Sequence, residues 1–397
     1  MDKSGSISQH AGRNIFTRDF ILVLLAFFAF MAAFYALIPT LPVYFSQLGS
    51  GERLVGILVG ITGVASLISR FLVGGFLRRY SEKRAMIFGA VLFSLTLPAA
   101  IFLRSFWPLL AVRIFQGIAF ASMHTAAVTY AINVIPSAYR GQGLAYFMLA
   151  PNLAMALVAP SGIFVINQYG FTTFFLSCTG LSVCALLLTW KEREHRAVSA
   201  PEQSPPAASI FLPEWKIIVP GLANFLQMFV YGALTAFIPL YALRCGITNP
   251  GLFFTAMAAA MITGRIFGGK ILDAYNKERI ILVLILISMM AIVILSFSKT
   301  LPLFIFVGLL WGVGAAFFMP ACMAYALEFA GTSSGAAVGT FQALVDLGMA
   351  IGPVIMGLII PITGYPMMFL CLAFIYLIDM CYFQFYVRKR RRTAVSK

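Results

Sequence analysis

Three ionisable residues lie inside runs that are otherwise apolar. Asp346 falls in FQALVDLGMAIGPVIMGLII, and Arg113 and His124 share LLAVRIFQGIAFASMHTAAV. An ionisable side chain near the bilayer centre costs at least about 2.5 to 3.5 kcal/mol on insertion scales, so it normally faces a wet cavity or a partner. A carboxylate that alternates between a dry and a wet setting can carry a proton. Asp346 is therefore a candidate proton site, or the counter-charge for a cationic substrate, with a hydrogen-bonded core acid as the plainer alternative. Arg113 cannot act as the carrier because guanidinium does not deprotonate in proteins. It can tune Asp346, bind an anionic group, or hold backbone carbonyls. Histidine is the side chain whose unperturbed titration falls near neutral pH, so His124 reads as a proton relay or as a packing residue. Asp379, in the last apolar run, is a second buried acid with no evident partner.

Neutral polar residues accompany them. Gln116, Asn152, Asn224 and Gln227 lie among Phe34, Tyr35, Tyr231, Trp311 and Met319. Few fixing points among many aromatics suit an amphipathic or hydrophobic molecule better than a sugar, whose hydroxyls would each need a partner. No enzyme is expected. His10, His124 and His195 are the only histidines, and two of them lie in polar segments, so neither a triad nor a histidine metal cluster can be built. The six cysteines show no metal-ligand spacing, no cofactor or metal is implied, and no GxxxxGK[ST] loop is present for an ATP-driven pump.

The elements that must position these residues are membrane helices. The chain is 61% hydrophobic and 10% charged, against about 25% charged in a soluble domain. Twelve apolar segments of about 20 residues, the length that crosses a bilayer core, account for it. The polar start MDKSGSISQHAGRN leads into Phe20 to Phe45, too long for a signal core, so the first span is expected to stay in the membrane. The net charge of +15 is unevenly placed: twenty-one Lys and Arg fall on one set of alternate loops and four on the other. By the positive-inside rule both termini and the central linker are cytoplasmic, and the basic tail RKRRR is an orientation signal at anionic lipid rather than a nucleic-acid site.

The spans repeat. SRFLVGGFLRRYSEKR, Ser69 to Arg84, returns as GRIFGGKILDAYNKER, Gly264 to Arg279, with Arg70 on Arg265, Gly74 on Gly269, Tyr80 on Tyr275 and Arg84 on Arg279. A period near half the chain fits a duplicated membrane half. Span 1, with Pro39 and Pro42, matches span 7, aligning Pro42 with Pro239 and Gly49 with Gly246, and prolines there suit a kinked segment lining a cavity. Span 4 matches span 10, with Gly117 on Gly312 but Arg113 on Gly308. Span 5, about Gly141 to Asn167, matches span 11, about Ser334 to Ile360, placing Asn152 opposite Asp346. The expected organisation is an all-α membrane protein with six-helix bundles at 1–190 and 216–397 joined by a polar linker at 191–215, the second bundle carrying the basic tail.

This arrangement resembles the major facilitator superfamily over essentially the whole chain. That family's loop signature is a glycine, an acid four residues later and a basic cluster. Gly269, Asp273, Lys277 and Arg279 fit it, whereas Gly74 is followed at the same spacing by Arg78, then Arg79 and Arg84, with Glu82 nearby. The resemblance implies cytoplasmic gate loops with a latch at Asp273. Arg113, Gln116 and Gly117 match the family's Arg-x-x-Gln-Gly element, which looks like that of proton-coupled members. Gly339, Gly348, Gly352, Pro353 and Gly357 match the glycine-proline element of the drug:proton antiporter branch, although there it occurs in the fifth helix. Glycines of this kind let helices approach closely and slide.

The expected function is proton-coupled efflux of small amphipathic or hydrophobic molecules by alternating access. Its partners would be substrate, protons and lipid, and the protein would be a monomer in a bacterial inner membrane. An importer or uniporter of a metabolite, or a lysolipid carrier, is the alternative.

Overall fold

The computed structural model describes residues 15–77, 79–136, 139–194, 215–274, 277–330 and 334–387, with backbone alone at 140–141, 215–220, 265–274, 277, 324–330, 334–340 and 386–387. Among these residues the regular structure is entirely helical. The elements are α1 (Arg18–Gln47), α2 (Glu52–Leu77), α3 (Glu82–Phe102), α4 (Phe106–Val134), α5 (Arg140–Phe147), α6 (Leu149–Trp190), α7 (Trp215–Arg244), α8 (Gly251–Ala274), α9 (Lys277–Phe297), α10 (Leu301–Ala330) and α11 (Ser334–Cys381), closed by a π turn at Tyr382–Val387. Nine of the described helices are long and apolar enough to cross a membrane, and α8 supplies a shorter apolar stretch, Gly251–Gly264. A helix satisfies every backbone hydrogen bond within itself, which is why an apolar chain in lipid adopts nothing else here.

Two of the helices are hairpins. α6 breaks at Gly170 (φ 79°, ψ 175°) and α11 at Gly364 (φ 79°, ψ 170°), backbone angles that only glycine adopts cheaply. Ring contacts show the reversal in α6. Phe147, just ahead of it, stacks on Phe27 near the start of α1, whereas Phe171 and Phe175 pack on Tyr44 near the end of α1. Trp190 then returns to the level of Lys83, whose ammonium donates to its carbonyl at 2.7 Å. Spans 5 and 6 are thus the two limbs of α6, and spans 11 and 12 those of α11. A single glycine makes each turn. α1 also runs through Pro39 and Pro42 with no non-helical residue.

The same economy ends α1 and α7. Gly49 and Gly246 take φ of 84° and 77°, and the amides that follow reach back to Phe45 and Ala242 at 3.0 and 2.9 Å. Both helices therefore close with one motif, in which the left-handed residue lets a later N–H cap an orphan carbonyl. The face carrying Lys83 and Trp190 is called below the linker face, and the face carrying Gly49, Gly170, Gly246 and Gly364 the far face.

The seam between the two halves of the chain is formed by α2 against the first limb of α11 and by α6 against α8. Backbones touch there. A Cβ on Gly56 would strike the Pro353 carbonyl, one on Gly60 the Ala350 carbonyl, and one on Gly251 the Ala159 carbonyl. On its other flank α11 presses on α7, where Gly348 and Gly352 lie against the carbonyls of Phe225 and Phe229. The glycine-proline element makes a two-sided contact: Gly348 and Gly352 face α7, Gly357 faces α2, and Pro353 touches both, its carbonyl at Gly56 of α2 and its ring at Gly232 of α7.

Candidate functional site

α2 and α11 bring opposite charges together across the seam. Two turns beyond Gly63, Arg70 places Nε 2.6 Å from Asp346 Oδ2, with the side chains 17% and 4% exposed. The contact is ionic rather than a well-directed hydrogen bond, since neither atom has a partner at hydrogen-bond angles. Gln342, one turn before Asp346, adds a hydrogen bond to the carboxylate. Breaking such a buried pair by removing one partner strands the other charge, a loss of about 3 to 5 kcal/mol.

The pair extends into α4. The Arg70 guanidinium lies 5.9 Å from the Phe120 ring centre, and Phe120 lies 5.3 Å from His124, which meets Phe27 edge-on at 5.6 Å. His124 Nδ1 is buried without a hydrogen-bond partner among the described residues. Asp346 and His124 are therefore brought to one neighbourhood, with Arg70 between them. Arg70 is the partner of Asp346 that the sequence reading does not select. The insertion-cost argument that selects Asp346 and Arg113 applies equally to an arginine inside SLISRFLVGG, where the residue is instead part of the repeated loop motif.

Arg113 does something else. Its Nε donates to the Leu58 carbonyl at 2.8 Å and Nη1 to Gln116 Oε1 at 2.7 Å, all buried. Of the three roles open to it, the one observed is holding a carbonyl, bracing α4 against α2, and its partner is not Asp346. It also supplies the charge lining a small cavity between the halves, walled by Phe34 and Pro42 of α1, Val59 of α2 and Thr235 of α7.

The remaining candidates separate. Asn152 spends its amide on the Met148 carbonyl of its own helix at 3.2 Å. Tyr35 and Met319 are half-buried against the core. Tyr231 stacks on Trp311 at 5.5 Å and 12°, and its hydroxyl reaches Met155 Sδ across the seam at 3.8 Å. Trp311 is 1% exposed and donates to Tyr376 Oη at 3.0 Å. Asn224 and Gln227 are buried with no hydrogen-bond partner at proper geometry among the described residues.

On the linker face, the first gate loop is tied to its own half. Arg84 pairs with Glu194 at 3.1 Å, Ser81 donates to the same oxygen at 2.8 Å, and Lys83 donates to the carbonyls of Trp190 and Glu192. These contacts hold Glu194 below the usual carboxylate range, the Ser81 hydrogen bond first and the Arg84 charge second. Glu82 accepts from Asn133 at 2.9 Å rather than crossing to the other half. Glu192 is buried beside them, and desolvation pushes its carboxyl up to about 8 despite the opposing charge of Lys83. Gly74 packs against nothing, and Arg79 and Arg279 are exposed. Arg78 lies outside the described residues, as do the side chains of Asp273 and Lys277. Gly269 and Gly339 are placed only as helical backbone.

The far face is closed. Arg244 at the end of α7 bonds Glu52 at the start of α2 at 2.6 Å and lies 4.7 Å over the Tyr365 ring, whose hydroxyl is 3.4 Å from Glu52. Asn167 donates to the Thr248 carbonyl at 3.1 Å, and Asn249 to that of Pro160 at 3.4 Å. Every one of these bonds except Tyr365 stacking on Arg244 joins the two halves.

Comparison with known proteins places the fold. The family model described as Major Facilitator Superfamily matches residues 23–300 and 251–397. The chain is 25% identical to the staphylopine export protein of Staphylococcus aureus, covering 92% of this chain and 94% of that one. It is 23% identical to an uncharacterised MFS-type transporter of Methanocaldococcus jannaschii, covering 83% and 88%. Among solved structures, the nucleoside transporter NupG superposes with a TM-score of 0.75 at 13% identity, over 93% of this chain and 98% of that one. The human organic anion transporter MFSD10 superposes with a TM-score of 0.67 at 16% identity, over 92% and 98%.

Proposed function

Because the chain belongs to the Major Facilitator Superfamily and is an integral membrane transporter rather than an enzyme, we propose that it is a proton-coupled exporter of small amphipathic molecules. The observation that carries the proposal is the Arg70–Asp346 pair, a buried charge pair spanning the two halves at the linker-side end of a seam whose far end is shut. A proton and a substrate group compete for the one carboxylate. A protonated Asp346 no longer neutralises Arg70, whose charge then needs water or another anion, and the α2–α11 contact loosens. Competition of this kind couples the two ligands reciprocally, as antiport requires.

Export is supported by the similarity to a staphylopine export protein and by the apolar, aromatic surroundings of Tyr231 and Trp311. The charge asymmetry of the loops supports cytoplasmic termini, so the linker face is the cytoplasmic one. The loops are short and basic, as in a bacterial plasma membrane. The six-helix halves rock about the α2–α11 and α6–α8 seams, where glycine backbones slide.

The test uses everted membrane vesicles with an imposed proton gradient, to which cationic dyes, amphipathic drugs and neutral metabolites are added one at a time while lumenal pH is read. Dissipation by a compound in wild-type vesicles and its loss in Asp346→Asn is the expected result. A compound that crosses by direct uptake while lumenal pH never responds would replace antiport by uniport.

A further inference from the structure

The second limb of α11 carries a buried acid that the transport reading does not use. Asp379 has no exposure, and neither carboxylate oxygen has a hydrogen-bond partner among the described residues. It is not isolated from polar groups. Tyr376, one turn earlier on the same face, accepts from Trp311 Nε1 at 3.0 Å and is flanked by the side chains of Ser288 on α9 and Gln227 on α7. The Cys322 thiol of α10 is close enough to feel the Asp379 charge. Ser288 Oγ and both ends of the Gln227 amide are themselves buried, with no hydrogen-bond partner at proper geometry among the described residues.

A buried polar group left unpaired costs about 1 to 3 kcal/mol, more if charged. Three such side chains, Asp379 of α11, Ser288 of α9 and Gln227 of α7, are explained most simply by an occupant they share. The groups gathered around the Tyr376 hydroxyl are that hydroxyl itself, the Asp379 carboxylate, the Ser288 hydroxyl and the Gln227 amide oxygen, all hard oxygen donors, and no cluster of three metal-binding side chains exists among the described residues. That set suits a small hard cation and not a soft transition metal. The titratable groups facing Asp379 are Cys322 from α10 and Tyr376 from its own limb; Ser288 and Gln227 are neutral, and no described cation reaches it.

We propose that Asp379, Tyr376, Ser288 and Gln227 form a monovalent-cation site, for H⁺ or Na⁺, inside the C-terminal half and separate from the Arg70–Asp346 pair. The site communicates with the seam through one chain of contacts. Tyr376 positions the Trp311 indole, Trp311 stacks on Tyr231, and Tyr231 reaches Met155 of the other half. Occupancy therefore fixes an aromatic pair on the substrate side of the C-terminal half.

The experiment uses the full chain in lipid nanodiscs without substrate. Thermal unfolding is followed in NaCl against choline chloride at alkaline pH, and infrared difference spectra are recorded between acidic and alkaline buffer. For Na⁺, the expected result is a Na⁺-specific rise in Tm that Asp379→Asn abolishes, Asp346→Asn retains, and Ser288→Ala shifts to about tenfold higher Na⁺, roughly the loss of one ligand. For H⁺, the Tm ignores Na⁺, and a buried carboxyl C=O band titrates in wild type and in Asp346→Asn but is missing in Asp379→Asn. Should Asp379→Asn fail to fold, Ser288→Ala decides the sodium arm, and the proton arm is decided by whether the band persists in Asp346→Asn and shifts in Ser288→Ala. A Tm indifferent to Na⁺ together with no titrating carboxyl band outside Asp346 overturns the proposal. Loss of antiport with this site intact would overturn only the exporter reading.

Discussion

The two halves hold the same carbonyl in two different ways. In the first, Arg113 of α4 reaches the Leu58 carbonyl of α2 with its guanidinium. In the second, the equivalent position is Gly308 of α10, and its bare backbone lies against the equivalent carbonyl, that of Phe253 in α8. One turn on, the two agree again: a Cβ on Gly117 would strike the Thr62 carbonyl, and one on Gly312 the Met257 carbonyl. A shared frame thus carries a charged brace on one side and a close backbone contact on the other. The buried charges follow suit. The first half ties Arg113 to a carbonyl and an amide and Glu82 to Asn133. The second leaves Asp379 without a described partner and sends Asp346 across the seam. Rigid support and exchangeable charge are divided between copies of one architecture.

The sharpest way to break this comparison is to fill the paired glycines. Gly117→Leu and Gly312→Leu each force a side chain into a carbonyl one helix away, and both are expected to destabilise by more than about 3 kcal/mol or to prevent folding. Thermal unfolding of the two variants in detergent measures it. If one is tolerated, the halves do not share this frame.

The next effect concerns the charge that crosses the seam. Arg70→Ala and Asp346→Asn each strand a partner and should each lower stability by about 3 kcal/mol or more, while the double variant recovers part of the loss. A double-mutant cycle on Tm reports this coupling. Purely additive losses would mean that the pair does not interact in the membrane. Restoring a carboxylate at the equivalent position of the first half, Asn152→Asp in Asp346→Asn, is expected to leave proton-coupled transport lost, because Asn152 faces its own helix and not Arg70.

A smaller effect is confined to the first half. Glu192 has its carboxyl raised from 4.5 to about 8 by burial. The folded protein therefore holds this proton more tightly than the unfolded chain does, so the contribution is greatest below 4.5 and is lost as pH rises through about 8. Glu192→Gln should flatten the fall in Tm across that window and raise Tm at its alkaline end. An unchanged pH slope would show that Glu192 is hydrated. The smallest expected change is Glu52→Gln, which removes an exposed ion pair of roughly 0.2 to 1 kcal/mol and should shift far-face distances between spin labels toward the open population.

Much of this plan is legible in the sequence because it is written in residue types that have few alternative uses. Glycines at paired positions, prolines at matched depths and a recurring basic loop specify two related halves. Charge partners are not written that way. Asp346 had Arg70, Arg113 and Arg265 available to it in sequence, and only the register of α2 on α11, set by Gly56 and Gly60 meeting Pro353 and Ala350, decides for Arg70. The joints at Gly170 and Gly364 escaped for a related reason. A hairpin made by one left-handed residue leaves no loop outside the helices, and the polar residues around Gly170, Asn167, Gln168, Thr172 and Thr173, stay within the two limbs.

The Glu52–Arg244 clasp has a further consequence. It lies at the surface, with Arg244 64% exposed, so the electrolyte bathing that face screens it, over a Debye length of about 10 Å at 0.1 M salt. Neither substrate nor proton needs to be present for this to act. The resting protein in a dilute medium stays shut more of the time than the same protein in brine, and the salinity of the surroundings becomes a setting on how often the far side opens.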